Sequence, residues 1–130
     1  MPSRWINLPE RVAHPSARVV SVGTIPELLS LRQAVLESAG FQVFSTAEPA
    51  QAVLTIENDH WGVLLLCYSL DDEVRKRLVD RFRESRPEGR VVALTNAPME
   101  NPPVEADAFL YGIEGAEALI AAVRGDTRDS

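Results

Sequence analysis

The one cysteine of the chain, Cys67, follows an unbroken apolar run, Val63-Leu-Leu-Leu66, inside the stretch Trp61 to Leu70. A thiol becomes a nucleophile or a redox centre when a nearby cation or helix N-terminus favours the thiolate. The nearby arginine, Arg75, does not stand at the spacing of a cysteine-phosphatase phosphate loop, and no Gly-rich phosphate cradle accompanies it. A buried, inert cysteine is the common outcome at such a position, and a redox-sensitive thiol is the sharper alternative. The acidic pair Asp71-Asp72 that follows is explained by capping of a helix start. His14 and His60 are far apart, with no Cys or His at metal-ligand spacing, and are expected on the surface. Arg75, Lys76, Arg77, Arg81 and Arg83 are interleaved with Asp80 and Glu84, which predicts a solvated helix face and not a nucleic-acid patch.

These residues must be held by a scaffold, and its pattern is regular. Ala17 to Gly23 is a β-branched strand, and Thr24-Ile-Pro-Glu27 forms a capping-box pattern with Thr24 as N-cap. The helix that follows should bury Leu28, Leu31, Val35 and Leu36 and stop at Gly40. Phe41 to Thr46 reads as a second strand. Thr46 is the expected cap of a second helix with Ala50, Val53, Leu54 and Ile56 as its apolar positions. The apolar run before Cys67 is a strand buried on both faces, the signature of a central strand in a parallel sheet. A third helix places Val74, Leu78 and Phe82 inward and ends at Pro87-Glu-Gly89. Arg90 to Thr95 and Ala106 to Tyr111 are the fourth and fifth strands. Glu114 to Arg124 is a final helix with Ala116, Leu119, Ile120 and Val123 as its apolar residues.

Strand–helix alternation of this kind calls for an α/β fold with a mostly parallel sheet, helices on both faces and right-handed crossovers. Three prolines, Pro98, Pro102 and Pro103, lie in residues 96–105 and disfavour a helix between the last two strands. The expected division is an arm over 1–16, with Trp5, Ile6 and Leu8 packed on the domain's own surface or, as the alternative, in contact with a partner, a domain over 17–124 and a polar tail over 125–130.

With 130 residues, the chain is long enough for one domain with a real core. It is 45% hydrophobic and 25% charged, ordinary for a globular protein. Its net charge of −6 disfavours nucleic acid or an anionic membrane as a direct partner. A single cysteine excludes an internal disulfide, and no stretch approaches the length of a membrane span. The N-terminus lacks the layout of a signal peptide, so a cytoplasmic location is expected.

Several segments together resemble the receiver domain of bacterial two-component response regulators. They are Arg18-Val-Val-Ser-Val, Pro26-Glu-Leu-Leu, Glu37-Ser-Ala-Gly-Phe41, Trp61 to Leu70, Val91-Val-Ala-Leu-Thr95 and Ala106-Asp-Ala-Phe-Leu-Tyr111, spanning roughly residues 17 to 124. The resemblance implies a flavodoxin-like, five-stranded, doubly wound parallel sheet, here with the fourth helix shortened or replaced by a loop. In the family an aspartate ending the third strand is phosphorylated beside a Mg²⁺ held by an acidic pair after the first strand. A Ser or Thr ends the fourth strand and a Lys ends the fifth. Phosphoryl transfer to a carboxylate needs that nucleophile, a divalent ion and a cationic or hydroxyl donor.

Carried over residue by residue, the aspartate falls on Cys67, the acidic pair on Gly23 and Thr24, and the lysine on Gly112. Only Thr95 matches. Gly23, Thr24, Cys67, Thr95 and Gly112 thus form a vestigial phosphorylation pocket in a pseudo-receiver without catalytic, metal-binding or cofactor-binding residues. The expected function is non-enzymatic contact with a protein in a two-component or phosphorelay-type pathway: a histidine kinase, another regulator, or a second copy in a homodimer. The candidate surface is Pro98, Pro102, Pro103, Phe109 and Tyr111, with the last helix. The alternative is a small-molecule or redox sensor, or an enzyme, using the crevice at the strand C-termini around Cys67. That crevice is expected to be roomy because Gly23 and Gly112 flank it, and to offer Cys67 no cation.

Overall fold

The structure, a computed structural model, describes residues 17–95, 106–111 and 115–125. In chain order its elements are β1 (Arg18–Val22), α1 (Pro26–Ser38), β2 (Gln42–Thr46), α2 (Pro49–Asn58), β3 (Val63–Leu66), α3 (Asp72–Ser85), β4 (Arg90–Thr95), β5 (Ala108–Tyr111) and α4 (Ala116–Arg124). The five strands form one sheet in the order β2-β1-β3-β4-β5, every neighbouring pair parallel. β1 and β3, at and beside the middle, are buried along their whole length, as the apolar run of β3 requires.

The two-residue side-chain period of the strands divides the core into two layers. Val20, Val22, Leu64, Leu66, Val91 and Ala93 pack with Ala52 and Ile56 of α2 and with Leu78, Val79 and Phe82 of α3. Val19, Val63, Leu65, Val92, Leu94 and Leu110 pack on the other face with Leu36 of α1 and with Leu119 and Val123 of α4. The doubly wound α/β architecture expected from the sequence is the observed one. The expectation of a loop in place of a helix concerns residues 96–105, which lie outside the described residues, as do the arm 1–16 and residues 126–130.

Local signals were met unevenly. α1 ends in a Schellman motif: Gly40 has φ +98°, its N–H donates to Glu37 O and the N–H of Phe41 donates to Leu36 O, both at 3.0 Å. Asp71 caps α3, its Oδ1 accepting from Val74 N at 2.9 Å, with Asp72 and Glu73 in the first turn. Two predicted caps differ. The N-cap of α1 is Ile25, not Thr24, and no side chain caps it. The N–H of Thr24 is instead donated to Ser69 Oγ at 2.9 Å, which ties the β1–α1 turn to the turn after β3. The N-cap of α2 is Glu48, and Thr46 stands two residues earlier, accepting from Glu48 N at 3.0 Å and donating to Gln51 Oε1 at 2.7 Å.

The buried stripes of two helices also differ from the predicted ones. α1 buries Leu29 and Leu36, while Leu31 is 59% exposed. α2 buries Ala52 and Ile56, while Leu54 is 59% exposed. Both helices are apolar over a wider arc than the sheet can cover, and the leftover residues line grooves on the surface.

Candidate functional site at the C-terminal end of the sheet

Ligands in open α/β sheets bind beyond the strand C-termini. Here that end is organised by the β1–β3 seam. Cys67 continues β3, its N–H donating to Val22 O at 2.9 Å, and its carbonyl accepts from Leu70 N at 3.2 Å to close the turn that leads to α3. The thiol is only 2% exposed. Against it lies Gly23, where a Cβ atom would fall 2.7 Å from Cys67 Cβ. Any side chain at position 23 therefore collides with Cys67 on this backbone. The crevice expected to be roomy is closed at this point, because the ends of β1 and β3 meet backbone to side chain.

Arg32, one α-helical position inside the middle of α1, supplies the cation that the sequence did not place near Cys67. Its Nη1 donates to Cys67 Sγ at 3.0 Å, and its guanidinium carbon lies 5.9 Å from the centre of the Tyr68 ring. The expectation that Cys67 lacks a cation is thus overturned. Burial pushes the thiol pKa up, but hydrogen bonds from the hydroxyl and N–H of Ser69, and then the Arg32 guanidinium, outweigh it. The thiol is held below its ordinary value. Ser69 also receives the Thr24 N–H, so one short polar chain runs from the β1–α1 turn through Ser69 to sulfur.

The other expected site residues are placed unequally. Thr95, buried, donates from Oγ1 to Leu110 O on β5 at 3.5 Å. Phe109 on β5, the sheet's outer strand, is 40% exposed, and the backbone of Tyr111 pairs with Thr95. Gly112, Pro98, Pro102 and Pro103 lie outside the described residues. Arg32 and Ser69 are functional neighbours that the sequence reading missed. Ser69 had a weak signal, two positions past the thiol, and Arg32 had none.

The residues do not fit the divalent ion used by receivers. Gly23 has neither a carboxylate nor room for one, and the side chain at position 24 is a hydroxyl, which lacks the negative charge of the carboxylate it would replace. Among the described residues, no group of three or more His, Cys, Asp or Glu could hold a metal. Nor, among them, is any helix long and apolar enough to cross a membrane. The basic residues of α3 are largely paired: Arg75 with Asp72, Arg81 with Glu57 and Arg83 with Asp107.

No protein-family model and no curated protein sequence matches the chain. Solved structures do. The chain is similar to a CheY-like response regulator receiver domain protein from Methanospirillum hungatei JF-1, with a TM-score of 0.72 and 19% identity over 83% of this chain and 90% of that one. A response regulator from Burkholderia pseudomallei, solved with a phosphorylated aspartic acid, a calcium ion and citrate, gives 0.71 and 15% over 82% of this chain and 65% of that one. The receiver domain of a sensor histidine kinase from Pseudomonas aeruginosa PAO1, with magnesium in its active-site cleft, gives 0.70 and 19% over 84% and 95%. The fold is therefore that of receiver domains, at an identity low enough that the chemistry must be judged from this chain's own residues.

Proposed function

We propose that this chain is a pseudo-receiver: a non-enzymatic signalling module that keeps the receiver scaffold and works by protein contact in a two-component-type pathway. The observation that carries the reading is the contact of Gly23 with Cys67. It removes the nucleophile and the metal-binding carboxylates in one place, with a backbone approach that leaves no room to restore an acid at position 23. The similarity to receiver structures supports the pathway class, since the Pseudomonas relative is part of a sensor kinase. The partner is a histidine kinase, another regulator or a second copy, and a cytoplasmic setting follows from that pathway. Tagged protein cross-linked in the cell that makes it should retain such a partner or run as a dimer in sedimentation. A strictly monomeric protein that retains none contradicts the proposal.

A second reading is favoured by the Arg32–Cys67 contact: the pair is a peroxide-responsive switch. The thiolate sulfur attacks one peroxide oxygen, the O–O bond breaks, and sulfenic acid and hydroxide result. Its low exposure opposes this chemistry. Dimedone labelling after mild peroxide should mark Cys67 and fade in Arg32→Gln; absence of labelling in the folded protein ends this reading.

A further inference from the structure

The apolar residues left out of the core do not scatter. On the α2–α3 face, Pro49, Ala50, Val53 and Leu54 of α2 meet Leu78 of α3 in an open groove of about 440 Å³. Leu54, which is 59% exposed, is among its lining residues. The α3 side of the groove is cationic, formed by Arg77 and Arg81, one helical turn apart on the same face. Glu57 answers Arg81 at 2.9 Å, whereas Arg77 has no ion-pair partner among the described residues. An unpaired arginine beside an apolar trough is conspicuous on a chain with net charge −6.

We infer that this groove docks an acidic amphipathic helix of a partner protein. The apolar side chains of the partner helix would lie along Ala50, Val53 and Leu54, and a carboxylate on its flank would pair with Arg77. The lining residues of each wall span about one to two helical turns, which matches the two turns that an i, i+4, i+7 set of anchors presents. Charge complementarity selects a protein helix over the other anionic surfaces. A nucleic-acid backbone or anionic bilayer would bring many negative charges against an acidic protein at a site with one unpaired cation, whereas the flank of one helix need bring only the carboxylate that Arg77 can pair. The comparable groove between α1 and α4, lined by Leu28, Leu31, Val35, Leu94 and Leu110, has its one lining arginine, Arg32, already engaged with Cys67. It offers no such selector.

The inference rests on the protein-contact reading and relocates the contact, from the segment around Phe109 to the α2–α3 face. Its test uses the full chain, isotopically labelled, and a synthetic alanine-rich peptide of about 18 residues, long enough to hold helix alone, with leucines at i, i+4 and i+7 and glutamates beside them. Amide shifts should concentrate at Ala50, Val53, Leu54, Arg77 and Arg81. Binding should weaken with salt and fall by at least ~10-fold in Arg77→Glu and in Leu54→Asp. Both positions are exposed, and unchanged thermal melting would confirm that the fold is intact. Shifts centred on the α1–α4 groove, indifference to Arg77→Glu, or binding to phosphatidylglycerol vesicles in place of the peptide would each overturn the inference. The two proposals fail separately. A cellular partner retained equally by wild type and Arg77→Glu leaves protein contact standing and removes the groove. Recovery of no partner by a strictly monomeric protein removes the contact reading, while the peptide still decides the groove.

Discussion

The two ends of the sheet each set an arginine against the β1–β3 seam, and they use it differently. At the N-terminal end, Arg18 lies under a cluster that answers it from several directions. Nη1 donates to His60 O at 2.7 Å, Nη2 pairs with Asp59 at 3.0 Å, and the guanidinium sits 4.1 Å from the centre of the Trp61 ring. Trp61 in turn donates from Nε1 to Thr55 O at 3.1 Å and tilts against Phe44. At the C-terminal end, Arg32 meets only a thiol and an aromatic face among the described residues. A buried arginine is stable when its donors are met by acceptors of matching charge. The first end meets it at both terminal nitrogens, leaving Nε buried without a partner, and reads as structural support. The second places its cation against the thiol that continues β3, with no carboxylate among the described residues to pair with it.

The largest expected difference between the ends is in stability. Trp61→Ala should cost about 3–5 kcal/mol, because it removes a buried aromatic and the face that Arg18 covers. Cys67→Ala should cost about 1 kcal/mol, near the average for a point substitution. Urea unfolding of the two variants measures the contrast, and equal costs would erase it. Next, Gly23→Ala should destabilise by about 1–3 kcal/mol through overpacking against Cys67 Cβ. Combined with Cys67→Gly the effect should shrink, a coupling that the double-mutant cycle reads directly.

Smaller effects appear in pH dependence, with a different window at each end. The folded-state pKa of Cys67 is depressed, so its contribution to stability is present above the unfolded thiol pKa and is lost as pH falls through the folded value. Wild type should therefore gain on Cys67→Ala as pH rises toward 9, and Arg32→Gln should remove part of that gain, since the Ser69 hydrogen bonds lower the thiol more. Asp59 is lowered from 3.8 to about 2 by its hydrogen bond from Arg18 and by the His60 N–H. It should add stability above its unfolded value that is lost as pH falls from about 4 through about 2. Asp59→Asn should flatten that acid limb in pH-dependent unfolding.

Much of the scaffold was legible in the sequence because strands buried on both faces leave unbroken apolar runs, as in Val63 to Leu66 and Val91 to Leu94. Gly40 and Asp71 announced a helix end and a helix start through local chemistry. Helix phase was less legible. α2 is apolar at Ala50, Ala52, Val53, Leu54 and Ile56, nearly all round, so periodicity cannot choose which residues the sheet covers. The sheet chose Ala52 and Ile56. At the site, that Gly23, Thr24 and Cys67 carry no carboxylate was readable position by position. The cation was not, since Arg32 stands 35 residues from Cys67 and only the β1–α1–β3 topology brings them together. Arg18 was hidden the same way, as one charged residue at the start of an apolar strand.

On the proposed reading, the C-terminal end of the sheet has kept the receiver's shape and lost its phosphoryl chemistry. Intact-mass analysis after incubation with Mg²⁺ and a small-molecule phosphodonor such as acetyl phosphate tests it most directly. The unmodified mass is the predicted result. A hydroxylamine-labile phosphoryl adduct on the wild-type chain would contradict it.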